Sequence, residues 1–389
     1  MLMSLVLVFT YLGEVNALSE YHFLSWDAMH LHFIVQNGYD FARSAFFPLF
    51  PFLWKLSSLS PGSVSLLNGF IFLFSFSMLA NQMKLKYTEL LSFLAIPSFI
   101  FMFLPYSESL LFLFAVIFYY SLKNDRIGLA CMALFLMSLT KPTASIFIPA
   151  IIVAEFLGQS NFQMISRRIV LLSLTIVVGN LLVFCFQYYS LGVWFTFFDA
   201  QAGWGNGLKW PLFPLTTWNH PHVIWIDSIA LWISMIAGIL LIYFIYQRHI
   251  NGRTFSRVLS YSLLYLVGTG LFVLLFRGGH LFSLNRFVFA TPFLLMATVE
   301  LKKHFKFEKS TKVIATLIIS FVIFSMLLFG SYLHIRLLIS YVLLSILVGL
   351  WFGLQFFKLK KAITWSVIMM LIIFQLFYLV AILHGEWLA

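Results

Sequence analysis

Charged residues are scarce in this sequence of 389 residues. Asp, Glu, Lys and Arg make up 10% of the chain, whereas an average soluble domain contains about 25%. The hydrophobic share of 62% is more than the interior of a soluble fold can bury. Aromatic residues contribute 19%, and such residues are abundant on lipid-facing and interfacial surfaces. The composition excludes a soluble domain and predicts an all-α polytopic membrane protein, with about 11–13 transmembrane helices in one integral membrane domain over residues 1–389.

Motifs for nucleotide binding are also missing. The sequence contains no Walker A motif and no glycine-rich dinucleotide motif. Its two cysteines, Cys131 and Cys185, lie inside apolar segments and have no metal-ligand spacing, so we expect no cofactor. The first 12 residues lack the basic region and the small-residue cleavage site of a signal peptide. These absences argue against an ATP-driven pump and favour a substrate that is carried in the membrane.

Basic residues outnumber acidic residues by 24 to 13, which in a soluble protein would suggest a nucleic-acid partner. No basic face is interleaved with stacking aromatic residues, so we expect the lipid bilayer and not nucleic acid as the partner. If the N-terminus lies inside, 17 of the 24 basic residues fall in inside loops. The positive-inside rule therefore predicts that the N-terminus is inside and the C-terminus outside.

Thirteen apolar segments are candidate membrane spans, although several are shorter than the roughly 20 residues that a spanning helix needs. They are 1–12, 62–80, 88–104, 108–122, 127–140, 143–157, 169–189, 223–247, 258–276, 286–301, 313–331, 337–357 and 363–383. The first segment is too short to cross a bilayer alone. The C-terminal helices over residues 313–383 carry no motif and are predicted to be scaffold.

Two of the predicted outer loops are long, at residues 13–61 and 190–222. They contain six tryptophans, whose ordinary role in such loops is anchoring at the membrane interface. These tryptophans are Trp26, Trp54, Trp194, Trp204, Trp210 and Trp218.

Asp27 is the outer acidic residue with the most informative surroundings. Residues 25–34 predict a short interfacial helix, on which Asp27 and His30 lie on one side because they are three residues apart. Four apolar residues are predicted to form the other face of this helix: Trp26, Met29, Phe33 and Ile34. A charged group at this depth is a functional candidate, but Asp27 also suits the N-terminus of a helix as compensation for its dipole.

Four further charged residues lie in short outer breaks between apolar runs: Glu108, Lys141, Arg277 and Arg286. Glu108 fits the first turn of a helix capped by Ser107, which is compatible with a functional role. Lys141 either acts in a site or extends to the membrane interface. Arg277 and Arg286 either bind an anion or anchor the loop.

The histidine pairs at positions 30/32 and 220/222 lack two further ligands at suitable spacing, so we predict no metal site. An outer pocket with one or two carboxylates and several cations suits one kind of chemistry. A carboxylate can take the proton of an attacking hydroxyl, and cations can neutralise a phosphate leaving group. Spacing alone leaves this as one option among several.

Five groups of residues, in order along residues 20–300, resemble one family. They are Trp26-Asp27-x-x-His30 with Gly38-Tyr39 and Ala45-Phe46-Phe47-Pro48-Leu49-Phe50-Pro51; Pro105-Tyr106-Ser107-Glu108-Ser109-Leu110; Thr140-Lys141-Pro142-Thr143; Ala200-Gln201-Ala202-Gly203-Trp204-Gly205 with Trp210-Pro211; and Ser283-Leu284-Asn285-Arg286-Phe287 with Pro292. The ordered set is similar to the GPI mannosyltransferase 2 family and its bacterial relatives. These are membrane-embedded glycosyltransferases of the GT-C superfamily.

The resemblance implies an inverting transfer of a sugar, typically mannose, from a polyprenyl-phosphate donor to a glycan, lipid or protein acceptor. Asp27 stands at the position of the family's candidate base in the first outer loop, so it is the predicted catalytic residue. The other candidates are His30 and Glu108 in supporting roles, Lys141, Arg277 and Arg286 for the donor phosphate, and Gln201, Trp204 and Asn206 for the sugar or acceptor.

The sequence departs from the family at Lys141, where an arginine is more usual, and in its short first span. A lysine keeps the charge but loses the bidentate fork. The Gln-Ala-Gly-Trp-Gly element is similar to bacterial members, so we expect a bacterial inner membrane with a periplasmic or extracellular active face. A transporter or flippase of a lipid-linked glycan is the alternative. That class would need charged residues at mid-depth and often a repeat of two halves, and neither is evident.

Overall fold

The computed structural model describes residues 23–158, 161–216, 221–305, 310–329 and 335–383. Within these ranges the chain forms α-helices and short 3₁₀ helices and contains no β-strand, apart from one isolated bridge between Thr216 and His280. The prediction of an all-α protein is therefore confirmed. The predicted span at 1–12 and the start of the first outer loop, 13–22, lie outside the described residues.

The α-helices are numbered in chain order. They are α1 (Asp27–Asn37), α2 (Leu49–Ser57), α3 (Pro61–Met83), α4 (Tyr87–Leu94), α5 (Glu108–Lys123), α6 (Ile127–Thr140), α7 (Phe147–Gly158), α8 (Phe162–Leu191), α9 (Thr196–Gly203), α10 (Pro221–Asn251), α11 (Arg257–Phe276), α12 (Leu284–Phe289), α13 (Phe293–His304), α14 (Ser310–Phe329), α15 (Ile335–Phe356) and α16 (Lys361–Leu383). Three 3₁₀ helices lie between them, at Ala42–Ala45, Pro97–Phe103 and Pro142–Ile146.

Six helices in the described ranges are long and apolar enough to cross a membrane: α3, α8, α10, α11, α14 and α16. A seventh span is obtained if the 3₁₀ helix Pro97–Phe103 and α5, which meet at an angle of 103°, count as one. The chain is an integral, polytopic membrane protein. The thirteen predicted segments outnumber these helices because breaks at positions such as Lys141–Pro142 divide apolar runs into pieces too short to span alone, including α6 and α7.

Helix α11 lies at the centre of the bundle and packs against α7, α10, α12 and α13. Its 20 residues make it about 30 Å long, which is the thickness of the hydrocarbon core of a bilayer. Because α11 reaches from one membrane boundary to the other, its two ends give the molecule two distinct polar regions.

One polar region is an ionic cluster at the Arg257 end of α11, which we call the inner cluster: Asp125, Glu155, Arg168 and Arg257. Arg168 bridges Asp125 and Glu155, with both N···O distances at 2.8 Å, and Arg257 lies 2.9 Å from Asp125 and 3.2 Å from Glu155. The cluster joins the α5–α6 turn to α7, α8 and α11. The positive-inside rule predicts all of these connections on one side of the membrane, and here they meet.

Candidate functional site

Helix α1 brings Asp27 to the other end of the bundle. The helix begins at Asp27, directly after Trp26, whose φ of 55° lies in the left-handed region that a bulky residue rarely adopts. Its buried face consists of Ala28, Leu31 and Ile34. Of the predicted apolar face, Ile34 is buried in the protein, whereas Met29 is more than half exposed.

Glu108 is positioned by a sharp break before α5. The side-chain amide of Asn68, on α3, donates to the carbonyl oxygens of Leu104 at 2.6 Å and Tyr106 at 2.9 Å, and so holds the break in place. Glu108 is the first residue of α5, as predicted, and Ser107 occupies the N-cap position. The Ser107 side chain makes no capping hydrogen bond, however, so this part of the prediction was wrong.

Arg286 is carried by the short helix α12, which is anchored from two sides. The buried carboxylate of Asp227, on α10, accepts hydrogen bonds from the Asn285 backbone N–H at 2.8 Å and from its side-chain amide at 2.9 Å. The Ser98 hydroxyl donates to the side-chain amide oxygen of Asn285 at 3.1 Å. Arg286 follows directly in the chain, so this buried network determines where its guanidinium lies.

Asp27, Glu108, Lys141 and Arg286 form the second ionic group, which we call the outer cluster. Arg286 bridges the two carboxylates: its Nε donates to Glu108 Oε1 and its terminal nitrogen lies 2.5 Å from Asp27 Oδ2. Lys141 Nζ donates to the same Glu108 oxygen at 2.5 Å. The Asp27 side chain is 21% exposed, whereas its three partners are buried. Asp27 is therefore the member that faces outward from the cluster.

Each carboxylate of the outer cluster keeps an oxygen without a donor among the described residues. Glu108 Oε2 is buried and has no hydrogen-bond partner there. Asp27 is bonded through Oδ2 alone, which leaves Oδ1 available. Buried polar oxygens normally have partners, so Glu108 Oε2 indicates a place where another molecule can donate a hydrogen bond.

The outer cluster opens into a cavity of about 330 Å³. All nine predicted site residues line this one cavity: Asp27, His30, Glu108, Lys141, Gln201, Trp204, Asn206, Arg277 and Arg286. Phe272 and Phe276, in the last two turns of the spanning helix α11, also line it. The cavity therefore extends from the charged cluster to the level of the membrane boundary.

A polar and aromatic rim forms another part of the cavity lining. Asn206 donates from its side chain to the Gln201 amide oxygen at 2.7 Å, and Trp204 lies between them in the chain. The His30 ring stacks on Phe46 with centroids 5.5 Å apart and lies 5.9 Å from the Trp204 ring. Aromatic faces beside amide groups form a surface that can bind a sugar ring and its hydroxyls.

Arg277 differs from the other two cations of the cavity. Lys141 and Arg286 each pair with a carboxylate, whereas no carboxylate among the described residues lies within 4 Å of Arg277. Its guanidinium donates to the Phe282 carbonyl and lies 3.8 Å from the centre of the Phe282 ring. Burial lowers the pKa of Arg277 to about 10, which still leaves it charged at neutral pH. Arg277 is the cation with charge to spare for an anion.

The electrostatics of the cluster keep Asp27 ionised. Burial alone would raise the pKa of its carboxyl, but the neighbouring Arg286, with a contribution from Lys141, holds that pKa below the ordinary value. Burial lowers the pKa of the His30 imidazole, although the Asp27 charge opposes this effect. At neutral pH the site thus contains an aspartate anion beside a neutral histidine.

Sequence reasoning missed two supports of this site. The ring of Tyr106 lies 4.9 Å from the Arg286 guanidinium, and its hydroxyl donates to the Ser25 carbonyl at 3.0 Å, which links α1 to the break before α5. The anchoring of α12 by Asp227 was also missed, because no local pattern indicates a contact across 58 residues. In the described ranges, no group of three or more His, Cys, Asp or Glu side chains is arranged to hold a metal ion.

Comparisons with protein-family models, with curated proteins and with solved structures find no match to this chain.

Proposed function

We propose that the chain is an inverting glycosyltransferase that takes a sugar, mannose in the first instance, from a polyprenyl-phosphate donor. The observation that carries the proposal is the convergence of one partly exposed aspartate, an arginine with no carboxylate partner among the described residues and an amide–aromatic rim in one cavity at the end of a membrane span. These are the groups that such a reaction needs: a base, a cation for the phosphate and a surface for the sugar.

Asp27 is the base in the proposed mechanism. Its Oδ1 accepts the proton of the acceptor hydroxyl while the acceptor oxygen attacks C1 of the sugar. The bond between C1 and the phosphate oxygen breaks in the same displacement, and its electron pair leaves with the polyprenyl phosphate. Attack from the face opposite the leaving group inverts C1 and passes through an oxocarbenium-like transition state. Glu108 and Arg286 keep Asp27 in position and ionised.

Arg277 is the main contact of the departing phosphate. Lys141 and Arg286 are already paired with Glu108 and Asp27, whereas Arg277 lines the cavity wall without a carboxylate within 4 Å among the described residues. Placing the phosphate there adds one charge-assisted interaction without breaking an existing ion pair. Lys141 and Arg286 then act over a longer distance by keeping the region positive.

The cavity wall supports a donor that stays in the bilayer. Phe272 and Phe276 belong to a spanning helix, so this wall lies at the depth of the bilayer. A lipid donor with its phosphate at the membrane surface can therefore place its isoprenoid chain beside these two side chains. With the N-terminus inside, the cavity faces the periplasmic or extracellular side of a bacterial inner membrane. The acceptor is a glycan, lipid or protein that reaches this side.

The test is a transfer assay in proteoliposomes with polyprenyl-phosphate-[labelled]mannose, comparing wild type with Asp27→Asn. The substitution preserves size but removes the base, so the transfer rate should fall about 10²–10⁴-fold. Asp125→Asn is the matched control, because Asp125 is the partly exposed carboxylate of the inner cluster and lies outside the cavity. It should transfer at the wild-type rate.

Equal transfer by wild type and Asp27→Asn would refute the role of Asp27. A transporter or flippase would instead move labelled donor from one leaflet to the other without forming a new product. Asp27→Asn would then change no product, because none is formed. Measuring leaflet distribution and product in the same vesicles therefore distinguishes the two classes of protein.

A further inference from the structure

The segment after α9 runs along the Phe276 end of α11 and is bonded to it through the backbone. The N–H of Gly207 donates to the Phe276 carbonyl and the N–H of Lys209 to the Leu275 carbonyl, both at 2.8 Å. Farther on, Leu212 and Thr216 donate to the carbonyls of the turn at residues 278–279, both at 3.1 Å. This regular series of bonds fixes the segment to the end of a membrane span.

The segment presents an apolar ridge, which we define as Leu208, Trp210, Leu212 and Phe213. Their exposed fractions are 84%, 87%, 76% and 64%. All four residues lie within six positions of one another along the chain. Four large apolar side chains displayed side by side on a fixed backbone are unusual on a surface that meets only water.

The turn below the ridge is built to receive it. Gly279 has a φ of +97°, and a Cβ at this position would lie 2.8 Å from the Leu212 carbonyl oxygen and 3.1 Å from its nitrogen. Only glycine allows this approach of two backbones. The close fit shows that the position of the ridge is a feature of the fold.

The height of the ridge identifies its partner. Leu275 and Phe276 are the last residues of α11, whose length of about 30 Å equals the hydrocarbon thickness, so the ridge lies at the boundary between acyl chains and headgroups. Tryptophan and long apolar side chains are the residues that favour this boundary. The segment 207–214 has one charged residue, Lys209, whose sign suits lipid phosphates.

We propose that the ridge inserts into the outer leaflet beside the mouth of the cavity and is held at that depth by the Gly278–Gly279 turn. Trp204 and Asn206 on the cavity rim directly precede the ridge, and the ridge is bonded to Phe276 of the cavity wall. The ridge therefore brings the lipid surface to the cavity mouth, where a lipid-borne molecule enters sideways. The insertion itself does not depend on the proposed transferase activity.

Site-directed spin labelling of the full chain in liposomes of phosphatidylethanolamine and phosphatidylglycerol tests the insertion. Cys131 and Cys185 are first replaced by alanine, and single cysteines are placed by Leu208→Cys, Trp210→Cys and Leu212→Cys. Asp199→Cys, on the exposed side of α9, is the control position. Accessibility to oxygen and to a water-soluble nickel chelate gives the depth of each label.

Labels at 208, 210 and 212 should favour oxygen and lie about 5–10 Å into the headgroup and acyl boundary, whereas the label at 199 should favour nickel. Nickel accessibility at all four positions would show a ridge in water and overturn the proposal. Labels protected from both reagents would show a protein partner on the ridge and overturn it as well.

Gly279→Ala tests whether the Gly278–Gly279 turn holds the ridge at its depth. The added Cβ should displace Leu212, so the labels at 210 and 212 should lose depth while the label at 199 keeps its wild-type spectrum and reports an intact fold. Unchanged depth at 210 and 212 would refute the role of the turn.

Discussion

The two ionic clusters each contain an aspartate, a glutamate and two cations, and they differ in how fully the buried glutamate is satisfied. Both arginines of the inner cluster bridge its two carboxylates, whereas in the outer cluster Arg286 bridges the carboxylates and Lys141 contacts Glu108 alone. In the inner cluster, Glu155 is completely buried, and both of its oxygens accept hydrogen bonds, Oε1 from the Tyr261 hydroxyl at 3.0 Å and Oε2 from Arg168 at 2.8 Å. In the outer cluster, Glu108 Oε2 is buried and has no donor among the described residues. The first arrangement joins helices, and the second leaves capacity for a ligand.

The surroundings of the clusters differ in the same sense. All four members of the outer cluster line its cavity, together with Arg277, which has no carboxylate partner among the described residues. A cavity of about 470 Å³ also adjoins the inner cluster, but of its members only Asp125 and Arg257 line it, and Asp125 is 60% exposed. Ionic clusters in membrane proteins are thus not all candidate sites, and unsatisfied acceptors facing a cavity are the more selective criterion.

The largest expected difference between the clusters comes from neutralising the buried glutamate of each. Glu155→Gln leaves Arg168 and Arg257 without their buried partner and should lower the free energy of unfolding by about 3–5 kcal/mol, with the transfer rate per folded molecule unchanged. Glu108→Gln should instead abolish most of the transfer, because Arg286 and Asp27 lose the group that aligns them. The measurements are unfolding in detergent and transfer per folded protein. If Glu155→Gln lost transfer while the protein stayed fully folded, the two clusters would not differ in function as proposed.

A smaller effect is expected at Arg277. Arg277→Gln removes the positive charge and should raise the KM for the lipid-linked donor roughly 10–100-fold, as expected for one hydrogen bond to a charged group. Arg277→Lys should recover part of the loss. The matched control is Arg257→Gln in the inner cluster, which should leave the KM unaltered. A KM for Arg277→Gln equal to that of wild type would remove this residue from the phosphate site.

The smallest effect is a shift in pH dependence. Because Arg286 holds the pKa of Asp27 below its ordinary value, the ionised base is present throughout the neutral range and activity is lost only as the pH falls through that low pKa. Arg286→Lys cannot reach both carboxylates, so the Asp27 pKa should rise and the acid limb of the rate profile should move up by about one pH unit. An acid limb at the wild-type position would show that Arg286 does not control Asp27.

Much of the site was predictable because its residues occupy breaks between apolar runs. Asp27, Glu108, Lys141 and Arg286 stand out in a chain that is only 10% charged, since each interrupts or flanks a segment that would otherwise be apolar. Their pairing was not predictable. Arg286 contacts Asp27 across 259 residues and Glu108 across 178, and no local periodicity carries that information.

The exposed face of α1 shows where local patterns fail. The spacing of large apolar residues placed Met29 on the apolar face of α1 and did not indicate that the helix packs through Ala28, where a small residue allows close approach to the aromatic layer that contains Phe101 and Tyr106. Which residue of a helix forms the contact depends on the shape of the surface that it packs against, and a helical pattern in the sequence does not describe that surface.

The sequence by itself determined that the chain is an integral membrane protein made of helices, since its apolar content leaves no other solvent in which it can fold and a bilayer requires backbone groups to be satisfied within helices. It also determined which charged residues lie in the breaks between apolar runs. The tertiary structure alone decided which of those charges are paired, that Arg277 has no carboxylate partner in the described chain, and that the ridge at residues 208–213 rests on a glycine turn. These features depend on contacts between segments far apart in the chain, whose energies arise only when the helices pack.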